Sequence, residues 1–173
     1  MTLVLKRTAL FIVIVLSVVF LAAVAAHAAT HQVVPISGFQ PGTIVVKTGE
    51  RRLYYVIDGE HALRFPVGVG KAGMTWTGAA RVEGKYVQPA WAAPDSIRRE
   101  NPRLPKVIPG GAPNNPMGAA ALTLRGGEYA IHGTNRPQTI GGFVSHGCIR
   151  MYNSDIRELY NMVAVGTPVI VER

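Results

Sequence analysis

The stretch TIVVKTGERRLYYVIDGEHALRFPVGVG, residues 43–70, alternates apolar and polar side chains and is punctuated by turn-forming residues. Its second apolar run places Leu53, Tyr55 and Ile57 on one face of an extended chain. Asp58-Gly59 is a preferred pair for a two-residue hairpin turn. The stretch therefore predicts strands at 43–47, 52–58 and 62–69, joined by tight turns, and a fold built on β-structure.

The rest of the chain continues the β pattern and adds one helix. Asn153 is predicted to cap this helix, which Gly166 and Pro168 bring to an end. Its apolar face comprises Ile156, Leu159, Tyr160 and Val163. Further strands are predicted at 80–87, 120–124, 129–132 and 168–172. We expect a mainly β domain of two packed sheets with this helix near the C-terminus.

Residues 89–118 interrupt the pattern with seven prolines and little periodicity. Proline in a helix interior removes a backbone donor and clashes with the preceding turn, so we expect no helix here. Long loops in compact domains are often functional. We therefore expect this loop, together with residues 133–144, to wall a substrate groove.

The N-terminal segment has the composition of an export signal. Lys6 and Arg7 precede an apolar run at 8–26, and small residues surround Ala28. We expect residues 1–28 to be a signal peptide. An uncleaved anchor that attaches the protein to the membrane through residues 8–26 is the alternative, because this run is long enough to cross a bilayer. Either way, the protein is expected to be exported to the periplasm or cell envelope.

The formal net charge of +8 indicates the kind of partner that the chain attracts. A basic exported domain suits an anionic polymer or a membrane surface. Nucleic acid is not expected as a partner, because the sequence has no basic stripe with interleaved aromatic residues. A basic surface that is merely solvated is the alternative that charge alone leaves open.

The stretch VSHGCIRMYN, residues 144–153, contains the one cysteine of the chain. An unpaired cysteine outside the cytoplasm risks oxidation, so its presence suggests a use, although free cysteines are also often inert and buried. A nucleophilic thiolate needs a base or a positive field, and donors for the oxyanion that its attack creates. Gly147 lets the backbone bend, so that the N–H groups of Gly147 and Cys148 can converge on one oxygen.

His132 and His146 are the candidates for the base. His132 ends a predicted strand, from which a side chain can be aimed at a neighbouring loop, whereas His146 is too close in sequence to fold back onto the sulfur without strain. We therefore predict that His132 is the base, that its imidazolium lowers the pKa of Cys148, and that His146 supports the loop. Zinc bound by His132, His146 and Cys148 is an alternative, but the paired-ligand spacing of zinc sites is missing. No metal or cofactor is expected.

These residues carry a resemblance to a known family. His132-Gly133-Thr134, a spacer, and then Ser145-His146-Gly147-Cys148-Ile149-Arg150-Met151 resemble the signature of the L,D-transpeptidase (YkuD-type) catalytic domain. Upstream, TIVVKTGERRLYYVIDGEHALRFPVGVGK and NNPMGAAALTL are similar to its opening hairpins and its Asn-Pro-Leu-Gly segment. The resemblance implies an L,D-transpeptidase catalytic domain at residues 40–172.

The resemblance implies a β-sandwich-like fold and the cross-linking of peptidoglycan stem peptides. In such a reaction Cys148 attacks the stem, the terminal D-amino acid leaves, and an amine acceptor resolves the thioester. His132 is then base and later acid, and the carbonyl of Gly133 orients its imidazole. The N–H groups of Gly147 and Cys148 form the oxyanion hole in a loop shaped by Ser145 and His146. The basic charge suits this anionic polymer.

Other readings stay open. Some members of the family have asparagine where Arg150 stands, so Arg150 is either a clamp for a substrate carboxylate or a structural ion-pair partner. The same scaffold also attaches lipoproteins to the wall, hydrolyses stems as an L,D-carboxypeptidase, or exchanges D-amino acids. A papain-like peptidase fits poorly, because no histidine–asparagine pair follows Cys148. A wall-binding module with an inert cysteine is the alternative outside enzymology.

Overall fold

In the computed structural model, residues 31–126 and 129–173 are described, and strands predominate among them. The strands are β1 (Gln32–Pro35), β2 (Ile44–Lys47), β3 (Arg52–Val56), β4 (His61–Pro66), β5 (Val69–Gly70), β6 (Gly78–Val87), β7 (Trp91–Ala92), β8 (Val107–Ile108), β9 (Ala120–Leu124), β10 (Ala130–His132), β11 (Phe143–Ser145), β12 (Ile149–Arg150) and β13 (Pro168–Glu172). The helices are α1 (Asp95–Glu100) and α2 (Asn153–Met162), and a 3-10 turn spans Pro137–Thr139. The expected mainly β fold is confirmed.

The main sheet has two halves that share its longest strand. The strand order is β1-β4-β3-β2-β13-β6-β9-β10-β12. The first residues of β6 pair with β13, and its later residues pair with β9. The register shifts between Val82 and Gly84, and such irregularities bend a strand and increase its twist. β6 therefore carries the chain from one half of the sheet to the other.

One hydrophobic core lies between the two halves and α2. The first half contributes Ile44, Leu53, Phe65 and Val169, the second contributes Leu122, Ile131 and Ile149, and α2 contributes Ile156 and Leu159. A smaller cluster covers the opposite face of the first half; it is formed by Val45, Tyr54, Val56 and Ala62, with Val34, Ile36 and Phe39 packed against it. Because Ile131 and Ile149 are buried in the main core, the ends of β10 and β12 are held rigidly.

The expectation that residues 89–118 contain no helix is wrong. α1 occupies Asp95–Glu100, and the short strands β7 and β8 pair on either side of it. The prolines do not prevent this helix because Pro94 lies at its N-cap and Pro102 lies beyond its end. Proline is tolerated at the start of a helix, where its missing N–H would have no partner within the helix. α1 buries none of its residues, so it lies on the surface.

The expectation that Asn153 caps α2 is also wrong. Tyr152 precedes the helix, and no side chain provides a cap hydrogen bond. Asn153 Oδ1 instead accepts hydrogen bonds from the N–H groups of Ala119 (3.0 Å) and Thr134 (3.1 Å). Asn153 Nδ2 donates to Thr134 O at 3.0 Å. The side chain therefore ties the start of α2 to two loops rather than closing its own helix.

The two alternatives for residues 1–28 concern a segment that lies outside the described residues. Within the described ranges, no helix combines the length and the apolar composition that a bilayer crossing requires.

Candidate active site

The pairing of β10 with β12 brings the predicted nucleophile and base to one place. The two strands are parallel, and Ile131 lies opposite Ile149 and His132 opposite Arg150. Continued by one residue, this register sets Cys148 beside Ala130. Side chains at alternate positions share a face, so Cys148 and His132 are diagonal neighbours on adjacent strands. With strands about 4.8 Å apart and a rise of about 3.3 Å per residue, such neighbours lie roughly 8 Å apart between their Cα atoms, a distance that the two side chains together can span.

His132 is held in one orientation by its own backbone. The side chain is buried, with 4% of its surface exposed, and Nδ1 lies 2.6 Å from Gly133 O. A carbonyl oxygen can only accept, so in the neutral ring the proton is on Nδ1 and Nε2 carries the lone pair. Burial and, next, the charge of Arg150 lower the pKa of His132 to about 4, against the opposing effect of the Gly133 and Pro116 carbonyls.

The expectation that the pKa of Cys148 is lowered is wrong. Burial raises the pKa of the thiol, although the Ala130 N–H and the charge of Arg150 oppose the effect. The imidazolium that we expected to lower the pKa of Cys148 does not form at neutral pH, because burial also lowers the pKa of His132. Within the described residues, no hydrogen bond joins the thiol to the imidazole, and such contacts often tighten only when substrate binds. The site is therefore a neutral thiol beside a neutral imidazole.

The loop before Cys148 is fixed by Ser145. Ser145 Oγ donates to Cys148 O at 2.6 Å and accepts from Gly147 N–H at 3.1 Å. Gly147 has a φ of +123°, which side chains rarely allow, and a β-carbon on it would lie 2.2 Å from the ring of Tyr129. The Gly147 N–H, expected in the oxyanion hole, therefore already has a partner in Ser145. The Cys148 N–H is the other expected donor.

The side chain of His146 contacts α1. Its Nε2 lies 2.9 Å from Glu100 Oε2 and 3.3 Å from Lys71 Nζ. Lys71 Nζ is also 3.7 Å from Glu100 Oε2. The hydrogen bond from His146 is the first cause that keeps the pKa of Glu100 below its ordinary value, and the charges of His146 and Lys71 add to it. Sequence reasoning missed Glu100 and Lys71, because residues this far apart in the chain give no local pattern.

Arg150 lies on the same face as Cys148, and its Nε is buried without a hydrogen-bond partner in the described structure. Burial lowers the pKa of its guanidinium and the nearby charge of Arg136 lowers it further, whereas a thiolate at Cys148 would raise it. None of the ion pairs among the described residues includes Arg150 or Arg136. The structural ion pair considered for Arg150 is therefore not formed here, and two positive charges face the site.

Two cavities with shared lining residues reach this site. The first, of about 440 Å³, reaches Cys148 and is walled by Tyr86, Met117 and Tyr129. The second, of about 370 Å³, reaches Arg136 and Arg150. Both are also lined by Trp91, Ile97 and His146. Residues of 89–118 therefore line both cavities, and Asn135 and Arg136 from 133–144 line the second.

A metal centre was the remaining alternative for the two histidines and the cysteine. Across residues 31–126 and 129–173, the structure brings together no group of three or more His, Cys, Asp or Glu side chains that could hold a metal ion.

Comparison with known sequences matches nearly all of the described chain to one family. The model of the YkuD family, described as the L,D-transpeptidase catalytic domain, matches residues 41–171. The chain is 42% identical over 135 residues to the probable L,D-transpeptidase YbiS of Escherichia coli K12, covering 73% of the chain and 43% of that protein. It is 44% identical over 140 residues to the probable L,D-transpeptidase ErfK/SrfK of Salmonella typhimurium LT2, covering 75% of the chain and 44% of that protein. The chain thus spans less than half the length of these relatives.

Comparison with solved structures gives the same fold. The catalytic domain of an Enterococcus faecium L,D-transpeptidase acylated by ertapenem superposes with a TM-score of 0.58 at 23% identity, covering 78% of this chain and 99% of that one. L,D-transpeptidase 3 of Mycobacterium tuberculosis superposes with a TM-score of 0.61 at 19% identity, covering 76% and 60% of the two chains.

Proposed function

The chain belongs to the L,D-transpeptidase catalytic domain family, and we propose that it is an exported cysteine transpeptidase acting on peptidoglycan stem peptides. The observation that carries the proposal is the register of β10 and β12, which sets His132 and Cys148 as diagonal neighbours on one face. Family membership supports an acyl transfer on cell-wall peptides. The exported location follows from the substrate and from the expected signal at residues 1–28.

In the first half of the reaction, Cys148 is the nucleophile and His132 is the general base. Cys148 Sγ attacks the carbonyl carbon before the terminal D-amino acid while His132 Nε2 takes the thiol proton. The Cys148 N–H donates to the oxyanion of the tetrahedral intermediate. The intermediate then collapses, the bond to the D-amino acid breaks, and the leaving amine takes the proton from His132. The product is a Cys148 thioester.

In the second half, an amine acceptor attacks the thioester. His132 takes a proton from the amine as the new amide bond forms, and the same proton returns to sulfur as Cys148 leaves. Gly133 O holds the imidazole in the required tautomer throughout. An amine of a second stem and an amine of a wall-attached lipoprotein fit this step equally, and water in their place gives L,D-carboxypeptidase activity.

Arg150 is proposed to bind a carboxylate of the substrate. The stem peptides carry carboxylates, and the guanidinium of Arg150 has a buried nitrogen without a partner in the described structure. Arginine binds carboxylates through paired, charge-assisted hydrogen bonds. Arg136, on the same cavity, adds positive charge, which favours an anionic ligand at this end of the groove.

The experiment that tests the function uses disaccharide tetrapeptides as both donor and acceptor. We expect the mass of cross-linked dimers among the products, and no product with the Cys148→Ala variant. Tripeptides would redirect the proposal to hydrolysis, and stems with an exchanged terminal residue would redirect it to D-amino acid exchange. Turnover that survives in Cys148→Ala would overturn the proposal.

A further inference from the structure

Trp76 reaches the catalytic loop from a distant part of the chain. It lies in the loop between β5 and β6, and its indole Nε1 donates a hydrogen bond to Gly147 O at 3.0 Å. Its ring stacks on that of Tyr129, with centroids 5.2 Å apart and planes inclined by 7°. Tyr129 in turn lines the cavity that reaches Cys148. Trp76 therefore contacts the backbone next to the nucleophile without lining that cavity itself.

The hydrogen bond from Trp76 to Gly147 O also fixes the orientation of the Cys148 N–H, which Trp76 does not contact. Gly147 C=O and Cys148 N–H belong to one planar trans peptide group, in which they point in opposite directions. An anchor on the carbonyl oxygen therefore sets the direction of the Cys148 N–H. Gly147 has no side chain to restrain this peptide, and its φ of +123° is open to glycine at little cost.

The neighbouring peptide is held by a different contact. Gly147 N–H donates to Ser145 Oγ, so Ser145 restrains the peptide before Gly147. The ring of Tyr129 packs closely against the α-carbon of Gly147, which joins the two peptides. A β-carbon on Gly147 would lie 2.2 Å from this ring. Of the two N–H groups expected in the oxyanion hole, the one of Cys148 is the one that Trp76 orients.

We propose that Trp76 is a positioning residue for the acylation step: its indole N–H holds the Gly147 carbonyl so that the Cys148 N–H points at the developing oxyanion. A hydrogen bond to the carbonyl of a peptide also polarises its N–H, which strengthens the donor. The inference rests on the proposed function, because an oxyanion forms only if Cys148 attacks a carbonyl. No pattern in the sequence around Trp76 indicates this role.

The test compares two reactions of the same thiol in Trp76→Phe, which keeps an aromatic ring on Tyr129 and removes the donor. Acylation by a carbapenem passes through an oxyanion, whereas alkylation by iodoacetamide displaces iodide at a saturated carbon and forms none. We expect the acylation rate constant to fall at least about tenfold and the alkylation rate constant to stay within about twofold. The loss of one oxyanion donor lowers a rate by about 100-fold or more, and a donor that is present but misdirected should cause part of that loss.

Two further proteins keep the test decisive. Tyr55→Phe is the matched control. It also removes a side-chain hydrogen bond to a carbonyl, the one from Tyr55 to Met162 O at 3.2 Å, but away from the two cavities. Both rate constants should stay at their wild-type values. If Trp76→Phe does not fold, 3-benzothienylalanine at position 76 keeps the bicyclic shape without the N–H and should show the same selective loss.

The outcomes separate this inference from the proposed function. A wild type that forms no acyl-enzyme overturns the proposed function and the inference with it. A wild type that is acylated while Trp76→Phe is acylated equally fast, or loses both rates equally, overturns only the role of Trp76.

Discussion

At the scale of single residues, the proposed chemistry depends on two groups that are both uncharged at neutral pH. Burial raises the pKa of Cys148 and lowers that of His132 to about 4. A preformed thiolate–imidazolium pair is therefore disfavoured, and the proton must move as the sulfur attacks. The ring is ready for this because Gly133 O keeps the Nδ1 proton in place.

His132 and His146 are expected to differ sharply on substitution. His132→Ala removes the proposed base and should lower turnover by about 100-fold to 10,000-fold, the usual contribution of general base catalysis. His146→Ala loses contacts with Glu100 and Lys71 and should lower turnover by less, because the base remains. Steady-state cross-linking rates, with thermal unfolding to confirm both folds, check this. A larger loss in His146→Ala would reverse the roles.

The pH profile of kcat/KM reports the state of the base. As the proposed base, His132 would act only when neutral, so activity should persist as pH falls and be lost only through about pH 4, the pKa of this residue. An unperturbed histidine would lose it near pH 6.5. Arg150→Gln should move the acid limb to higher pH, because the charge of Arg150 lowers this pKa. A wild-type limb near pH 6.5, measured where the protein is folded, would contradict the account.

At the scale of elements, Asn153 joins the start of α2 to the loop that orients the base. Its three hydrogen bonds reach Ala119 and Thr134, directly after Gly133. Asn153→Ala should lower the free energy of unfolding by about 1–2 kcal/mol, because backbone groups lose their partners, and should also lower turnover. Urea unfolding measures the first effect. Asn161→Ala, at an exposed position of the same helix, is the control and should leave the free energy of unfolding nearly unchanged. Equal stability of the two variants would contradict the role of Asn153.

The elements also show what the sequence could and could not predict. Pro168–Glu172 was predictable because alternation over five residues records one buried face. Arg52–Val56 was also recognised as a strand, although both of its faces are covered. β11 and β12 were missed because two or three residues carry no period, although they flank Cys148. α1 was missed because prolines dominate the composition around it, while their positions lie outside its six residues.

The residues of the site also divide into those that the sequence indicates and those that it does not. Cys148 and His132 stand out in the sequence as reactive residue types next to glycines. Trp76, Glu100 and Lys71 do not, since their roles arise only when the fold brings distant segments to the loop. The direction of the pKa shift at Cys148 was missed for a related reason: burial is a property of the packed structure, and it outweighs the nearby charge.

At the scale of the whole molecule, the proposed function requires the chain to work outside the cytoplasm. We expect cleavage after Ala28, so that the protein in the cell envelope begins at Ala29. Intact mass and N-terminal sequencing of protein from the envelope fraction check this. A full-length mass in the membrane fraction would instead support an anchor through residues 8–26, and full-length protein in the cytoplasm would contradict export.

The elements of the whole fold together hold β10 and β12 in register. The bent sheet and α2 bury Ile131 and Ile149 in a common core, and this holds the ends of β10 and β12 in register. One cavity then gives access to Cys148 and the other to Arg136 and Arg150. We propose that this architecture makes Cys148 a nucleophile that becomes acylated.

Intact-protein mass spectrometry after incubation with a carbapenem shows whether Cys148 is acylated, since carbapenems mimic the acyl donor of this family. We expect the wild type to gain the mass of one carbapenem and Cys148→Ala to gain none. The same adduct on Cys148→Ala, or none on the folded wild type, would contradict this proposal.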